Sequence, residues 1–454
     1  MFVKRILFLA ILIFCAASAP AAWAQERISI IRDAEIENTI RAYATPLFQQ
    51  AGVDPLAVNI YLVKDNRLNA FVAAGLNLFI NTGLIIRTEN PGQLIGVIAH
   101  ESGHIAGGHL VRGAEAYSNA AAQSLASFLL GAAAAIATGR GDVGSAVMMG
   151  GSNIAERNYL SFSRATEGAA DTAGMSFLDK LGMSSRGFLE FMETLEGEEL
   201  LVTDRQDPYV RTHPLSADRI AEIRHHVEKS PYSDVPVPAE FIEPHQRMRA
   251  KLYAFFNPPV STLARYKEDD PAIWARYARA IAFYRRPDLP RALEAINALI
   301  AERPNDPFFH ELKGQMLFEN GHPREAVPEY EQAVKLLPGN ALLYEELGHI
   351  QIEAEDPALI PQAKINLQTA TRLDPEQASA WRSLAIAYGK GGDDVMVSTA
   401  MAEYALLAER WEEAIFHSQK ALKGLKTGTP QAMRMEDVLS QAEIGRDRAR
   451  QNKR

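Results

Sequence analysis

Cysteine is almost missing from this chain: Cys15 is the only one in 454 residues. A disulfide framework and a thiolate metal site are both excluded, so any metal must rest on His, Asp or Glu. Long apolar runs are missing as well. Ile6 to Phe14, in "MFVKRILFLAILIFCAASAPAAWAQE", is too short for a stable membrane span. With Lys4 and Arg5 before it and the small residues Ala22 and Ala24 after it, the run reads as a secretory signal, residues 1–24, cut after Ala24. An uncleaved anchor is the alternative. "LIF" before Cys15 lacks the small residue that a lipidation signal wants. Positive charge is not in excess: the formal net charge is -9, or -11 once Lys4 and Arg5 are removed, with both signs mixed along the chain. That excludes the clustered basic footprint of a nucleic-acid binder. An exported chain without a mature cysteine fits the bacterial periplasm best.

About 430 mature residues suggest two or three domains. Residues 25–232 alternate short β-rich runs with longer helical ones, an α+β pattern dominated by helices. "RDAEIENTIRAYATPLFQQAG" has helical spacing and stops at Gly52. "VNIYLV" (Val58 to Val63) and "LNLFIN" (Leu76 to Asn81) read as strands. Asn90 followed by Pro91 opens a further helix. Residues 120–150 are rich in Ala and Gly, and uncharged until Arg140. They read as a hairpin or lid near the site, or equally as a buried core hairpin, with a peripheral membrane contact as a third reading. Proline-rich "SDVPVPAEFIEP" marks a boundary, and residues 233–270 form a linker with a basic amphipathic helix, "HQRMRAKLYAFF".

Residues 271–445 repeat. The thirty-four residues Pro307 to Asn340 place Gly314, Leu317, Ala326, Tyr330, Ala333 and Pro338 at tetratricopeptide offsets. Ala280, Phe283, Ala292 and Pro304 precede them in register, and Gly348, Ala363, Ala370 and Pro375 follow. Trp381, Leu384, Ala385 and Tyr388 start another unit, "AMAEYALLAERWEEAIFHSQKAL" supplies a last helix pair, and 446–454 is a charged tail. Pro328, inside a predicted helix, calls for a kink or a later helix start. Such an all-α solenoid either binds peptides and proteins or packs structurally on the first domain.

The chemistry centres on "VIAHESGHIAGGH", Val97 to His109. His100 and His104, four apart in a helix, can share a metal, and Glu101 can take a proton from its water. Two core histidines are the structural alternative, although an unpaired buried imidazole is costly. His109 lies roughly 140° around a continuous helix from His104, so it is read as a packed or orienting residue. Leu110 stands where a metzincin needs its third histidine. The third ligand then comes from "FSRATEGAADTAGMSFL", where Glu167 could bind the metal and Asp171 could hold a ligand's outer nitrogen. Ala169 and Ala170 allow close helix approach. The alternative is a solvated acidic face.

H-E-x-x-H followed much later by E-x-x-A-D resembles the gluzincin family of the prenyl-protein CAAX endopeptidases, the HtpX proteases and the periplasmic BepA-like proteases. The likeness includes "NAFVAAGLNLFINTGLI" and "RTHPLSADRIAEI". The BepA-like branch also has a signal peptide and a tetratricopeptide domain. The resemblance implies a zinc endopeptidase with one Zn2+ held by His100, His104 and Glu167, and with Glu101 as general base. The metal polarises the scissile carbonyl and acidifies its water, and Glu101 passes the proton to the leaving amine. The strand Leu76 to Asn81, with Asn69, Leu76, Asn77, Leu78 and Phe79, would pair with an extended substrate as an edge strand. His213 either donates to the oxyanion or occupies the open zinc position and keeps the enzyme latent. Arg219 partners Asp171 or the oxyanion. Implied partners are unfolded or stalled outer-membrane proteins and, through the repeats, the β-barrel assembly machinery. The competing reading is a chaperone or assembly scaffold with a latent metal site.

Overall fold

The computed structural model describes residues 29–73, 76–109, 163–196, 209 and 213–451. The expected signal peptide and the 120–150 segment lie outside the described residues.

The first part of the chain builds one small sheet covered by helices. Its elements are β1 (Ile30–Ile31), α1 (Ala34–Gln50), β2 (Asn59–Val63), β3 (Ala70–Ala73), β4 (Asn77–Asn81), α2 (Thr82–Arg87) and α3 (Pro91–Ala106). There follow α4 (residues 163–180), α5 (Arg186–Thr194) and α6 (Ala217–Lys229). Side chains at N-caps fix the helix starts: Asp33 accepts from the Ile36 amide, and Asn90 from the Gln93 amide with Pro91 just inside α3. The strand order is β1-β2-β4-β3, with β2 and β4 parallel and the outer pairs antiparallel. Alternation puts Ile60, Leu62, Val72, Leu78 and Ile80 on the face buried against Ile40, Leu47, Leu94 and Ile98. Each such side chain contributes about 1.5–3 kcal/mol by leaving water.

This order corrects the expected edge strand. β4 is paired on both sides, Asn81 donates to the Asn69 carbonyl at 2.9 Å, and Asn59 donates to the Leu76 carbonyl at 2.9 Å. The backbone groups of Asn77, Leu78 and Phe79 are therefore spent inside the sheet. Among the described residues β3 pairs only with β4, so the free edge is Ala70–Ala73. Sequence periodicity missed β3 because it has only four residues.

The "linker" helix is α7 (Ala239–Phe256), followed by α8 (Pro259–Arg265). Met248 and Leu252 of α7 belong to the core of the first part, while Ala250 and Ala254 belong to the core of the repeats. Its Arg247 and Lys251 are buried, so the helix has no simple basic outer face.

The repeats are helix pairs: α9 (Ile273–Arg285) with α10 (Leu289–Glu302), α11 (Pro307–Glu319) with α12 (Pro323–Leu336), and α13 (Ala341–Glu353) with α14 (Ile360–Leu373). Two more follow, α15 (Ala378–Lys390) with α16 (Asp394–Leu407) and α17 (Trp411–Gly424) with α18 (Pro430–Gln451). A Cβ on Gly314 would stand 2.5 Å from the Tyr330 ring, and one on Gly348 would stand 2.5 Å from Leu367 Cγ. Small residues at these offsets are thus what lets each pair close. Three expectations change. "AMAEYALLAERWEEAIFHSQKAL" is the end of one pair and the start of the next, because Glu409, at φ 54°, turns the chain there. The "charged tail" is helical through Gln451. α12 starts at Pro323, ahead of Pro328, and runs through it.

The repeats also hold the first part. Ala34 packs with Leu317, Val327 and Leu343, Arg32 lies 3.1 Å from Asp374, and Asn59 donates to Glu376 at 3.1 Å.

Candidate metal centre

α3 presents His100, Glu101 and His104, and α4 presents Glu167 and Asp171. The two helices nearly touch. A Cβ on Gly103 would lie 2.5 Å from the Ala170 carbonyl, and one on Gly174 2.9 Å from the Ala99 carbonyl. Glycine on each helix facing alanine on the other is what brings the two side-chain sets within reach. A third segment, entering α6, adds His213 and Arg219. All seven residues are buried.

One ligand atom from each of His100, His104, Glu167 and His213 lies within 4.8 Å of every other. His100 Nε2 is 3.1 Å from His104 Nε2 and 3.3 Å from His213 Nδ1. Glu167 reaches His100 and His104 at 3.4 Å each and His213 Nδ1 at 3.2 Å. The other nitrogen of each ring is held from outside. His100 Nδ1 donates to Asp171 at 2.7 Å, His104 Nδ1 meets His109 Nδ1 at 3.1 Å, and His213 Nε2 donates to the Ala70 carbonyl at 3.2 Å. These outer contacts orient the rings, so the inner nitrogen of each faces the common centre. Arg219 grips Asp171 through two bonds, 2.7 and 2.8 Å, and lies 3.1 Å from Glu167.

Electrostatics fit a cation. Three buried carboxylates, Glu101, Glu167 and Asp171, face one guanidinium, Arg219. Burial lowers the His100 pKa, but its bonds to Asp171 and Glu167 outweigh that and push it up to about 9. The pocket thus draws positive charge even onto a fully buried ring. Burial, reinforced by the neighbouring His100, lowers His104 to about 2, which keeps its ring neutral and able to donate a lone pair. Burial raises Glu167 and Asp171, yet the histidines around Glu167, and Arg219 with His100 around Asp171, bring both below the ordinary carboxylate range. Glu101 differs: burial raises it, with His213, His100 and the Val72 backbone opposing, and no side chain hydrogen-bonds to its oxygens. His213 Nε2 lies 3.4 Å from its Oε1.

Of the expected site residues, His100, Glu101, His104, Glu167, Asp171, His213 and Arg219 converge. Asn69, Leu76, Asn77, Leu78 and Phe79 do not reach the centre as an exposed edge; β3 stands in their place. α3 does not continue through "IAGGH". It ends at Ala106, and Gly108, at φ 59°, turns the chain so that His109 folds back behind His104. The Gly-Gly pair was the available signal for that turn.

Residues 31–227 match the model of peptidase family M48, and residues 263–307 match a tetratricopeptide repeat. The β-barrel assembly-enhancing protease of Yersinia pestis is 22% identical over 433 residues, covering 91% of this chain and 84% of that protein. Its namesake in Escherichia coli (strain K12) is 23% identical over 426 residues, with the same coverage. The metalloprotease LoiP of Escherichia coli (strain K12) is 29% identical over 194 residues, covering 42% of this chain and 71% of that one. The chain therefore carries a peptidase family M48 domain followed by tetratricopeptide repeats, and it is a metalloendopeptidase.

Proposed function

We propose that this chain is a zinc-dependent endopeptidase of the bacterial periplasm that cleaves unfolded or misassembled proteins during assembly and quality control of outer-membrane β-barrels. The observation that carries the catalytic part is the convergence of ligand atoms from His100, His104 and Glu167 beside the buried carboxylate of Glu101. The names of the Yersinia pestis and Escherichia coli relatives support the link to β-barrel assembly and an envelope location. No described helix is long and apolar enough to cross a membrane. Residues 25–232 form the protease domain in this reading, 233–270 the joining segment and 271–445 the repeat domain that engages clients or the assembly machinery.

His100, His104 and Glu167 would hold one zinc ion; imidazole and carboxylate donors suit it, and the buried negative charge would offset its own. When bound, zinc supplies Lewis-acid polarisation of the scissile carbonyl and acidifies the attacking water. Glu101, raised by burial, accepts the proton and delivers it to the leaving amine. Asp171 orients His100, and Arg219 holds Asp171 ionised. β3 offers the backbone edge for an extended substrate.

His213 supports the latent form over the oxyanion role. Its Nδ1 points into the ligand cluster while its Nε2 occupies the Ala70 carbonyl. One side chain would thereby offer a further ligand to the metal while it covers part of the substrate edge. This latency also keeps the scaffold reading in play.

The test compares zinc content and degradation of unfolded β-casein for the wild type, Glu101→Gln and His213→Ala. Cleavage should fall by roughly 10²–10⁴ in Glu101→Gln with zinc retained, and rise in His213→Ala. Equal degradation by Glu101→Gln would falsify the mechanism; no degradation by any form, with zinc bound, favours the scaffold.

A further inference from the structure

The two faces of the sheet differ in chemistry. The inner face is aliphatic, whereas on the outer face Tyr61 of β2, Phe79 of β4 and Phe71 of β3 stand in one register row. Their rings stack nearly parallel. Tyr61 and Phe79 have centroids 5.1 Å apart at 21°, and Phe79 and Phe71 are 4.9 Å apart at 12°. That pitch is close to the strand separation of a sheet, about 4.7–4.9 Å. The row therefore repeats once per strand and ends at Phe71, half-buried on the free-edge strand.

The backbone sets what comes next to Phe71. Asn81 donates to the Asn69 carbonyl, so residues 69, 71 and 73 direct their polar groups at β4, and Ala70 and Val72 direct theirs outward. The bond from His213 Nε2 to the Ala70 carbonyl lies on that outward side, and the Val72 backbone there faces the Glu101 carboxylate, so a substrate strand takes over both contacts. A substrate strand added there bonds to Ala70 and Val72. Whichever way it runs, the residue beside Phe71 presents its side chain on the outer face, one pitch further along the row. In the antiparallel case this is a non-hydrogen-bonded pair, whose side chains approach most closely.

We infer that Phe71 is a specificity-determining residue of the peptidase, selecting substrate strands that place Phe, Tyr or Trp beside it and so extend the stacked row by a fourth ring. The inference rests on the proposed pairing of substrate with β3. The contact at Ala70 to His213, itself within the ligand cluster, puts this subsite next to the cleaved bond. An aromatic partner should gain about tenfold over alanine there, the size of a cross-strand aromatic pair.

Cut sites in unfolded β-casein, mapped by mass spectrometry for the zinc-loaded full chain and for His213→Ala, should show aromatic residues enriched at one fixed position. Quenched-fluorescent peptides with Phe or Ala at that position should differ about tenfold in kcat/KM, mainly through KM. Phe71→Ala should flatten the difference and Phe71→Tyr should keep it. Phe71→Leu, similar in volume but without a ring, decides the matter if the alanine variant misfolds by circular dichroism. A flat wild-type profile, or a preference that survives loss of the ring, overturns the inference while leaving the protease reading intact. If no form cleaves, binding of the same peptides to the zinc-loaded Glu101→Gln chain by fluorescence polarisation decides, and equal binding of the Phe and Ala peptides overturns it.

Discussion

Two clusters of charge are buried in this molecule, and they are built to opposite ends. At the candidate metal centre, ring nitrogens and a glutamate converge on one point, and no guanidinium or ammonium pairs with the neighbouring Glu101 among the described residues. Around α7 the charges close on one another. Arg247 lies 2.7 Å from Glu35 and also pairs with Asp306, Lys251 lies 2.9 Å from Asp33 and 3.2 Å from Glu35, and the Tyr277 hydroxyl donates to Glu35 at 2.9 Å. Arg247 also sits 4.3 Å over the Phe309 ring. Buried charge by itself therefore does not mark chemistry. The second cluster joins α1, α7 and the repeats, and its cations come from the chain; the first has the donor set to take a cation from solution.

Breaking the second cluster should hurt stability most. Arg247→Ala leaves the buried Glu35 and the partly buried Asp306 without this partner and should cost about 3–5 kcal/mol. The loss should appear as a fall in the denaturant midpoint of the full chain while zinc affinity stays at the wild-type value. A variant as stable as wild type would make this cluster incidental.

Asp171→Asn sharpens the comparison from the other side. His100 keeps its place but loses the ionised partner that sets its tautomer, so zinc affinity should fall about 10–100-fold. Competition with a calibrated chelator measures it. An unchanged affinity would remove the outer carboxylate from the account of the site.

pH separates the clusters by sign. Burial raises Glu311, beside Lys251, to about 8. That is above the unfolded value of about 4.3, so its stabilising contribution is fully present below the unfolded value and lost as pH rises through about 8. Glu167 and Asp171 are depressed. Their contribution is present above the unfolded carboxylate values and lost as pH falls through the folded ones. Melting curves from pH 4 to 9 should therefore show Glu311→Gln losing less stability than wild type as pH rises from about 4 to about 8, with no difference in slope above that. A steeper fall in the variant over that range would reverse the assignment. This is the smallest effect of the three.

How much was legible follows the same division. His100, Glu101 and His104 were readable because one helical turn brings them together, and Gly314 and Gly348 because a repeat states its spacing several times. Glu167 and Asp171 were readable only as a second helical pair with small neighbours. β3 was not, since four residues carry too little periodicity, and which strand forms the edge depends on pairing order. Arg247 and Lys251 read as a basic helix face because nothing local announces Glu35, more than two hundred residues earlier. The turn at Gly108 depends on a positive φ that the apolar periodicity of α3 does not carry.

By itself, the sequence determined the spacing that sets His100, Glu101 and His104 on one helical turn, the α+β and repeat classes, and the exclusion of thiolate chemistry, all consequences of residue type and spacing within a turn or a repeat. Only the tertiary structure decided that β3 is the edge, that His213 lies between that edge and the ligand cluster, and that α7 is a charged core rather than a linker. Those outcomes depend on contacts between segments far apart in the chain, and short-range periodicity carries no information about which distant surface a residue will meet.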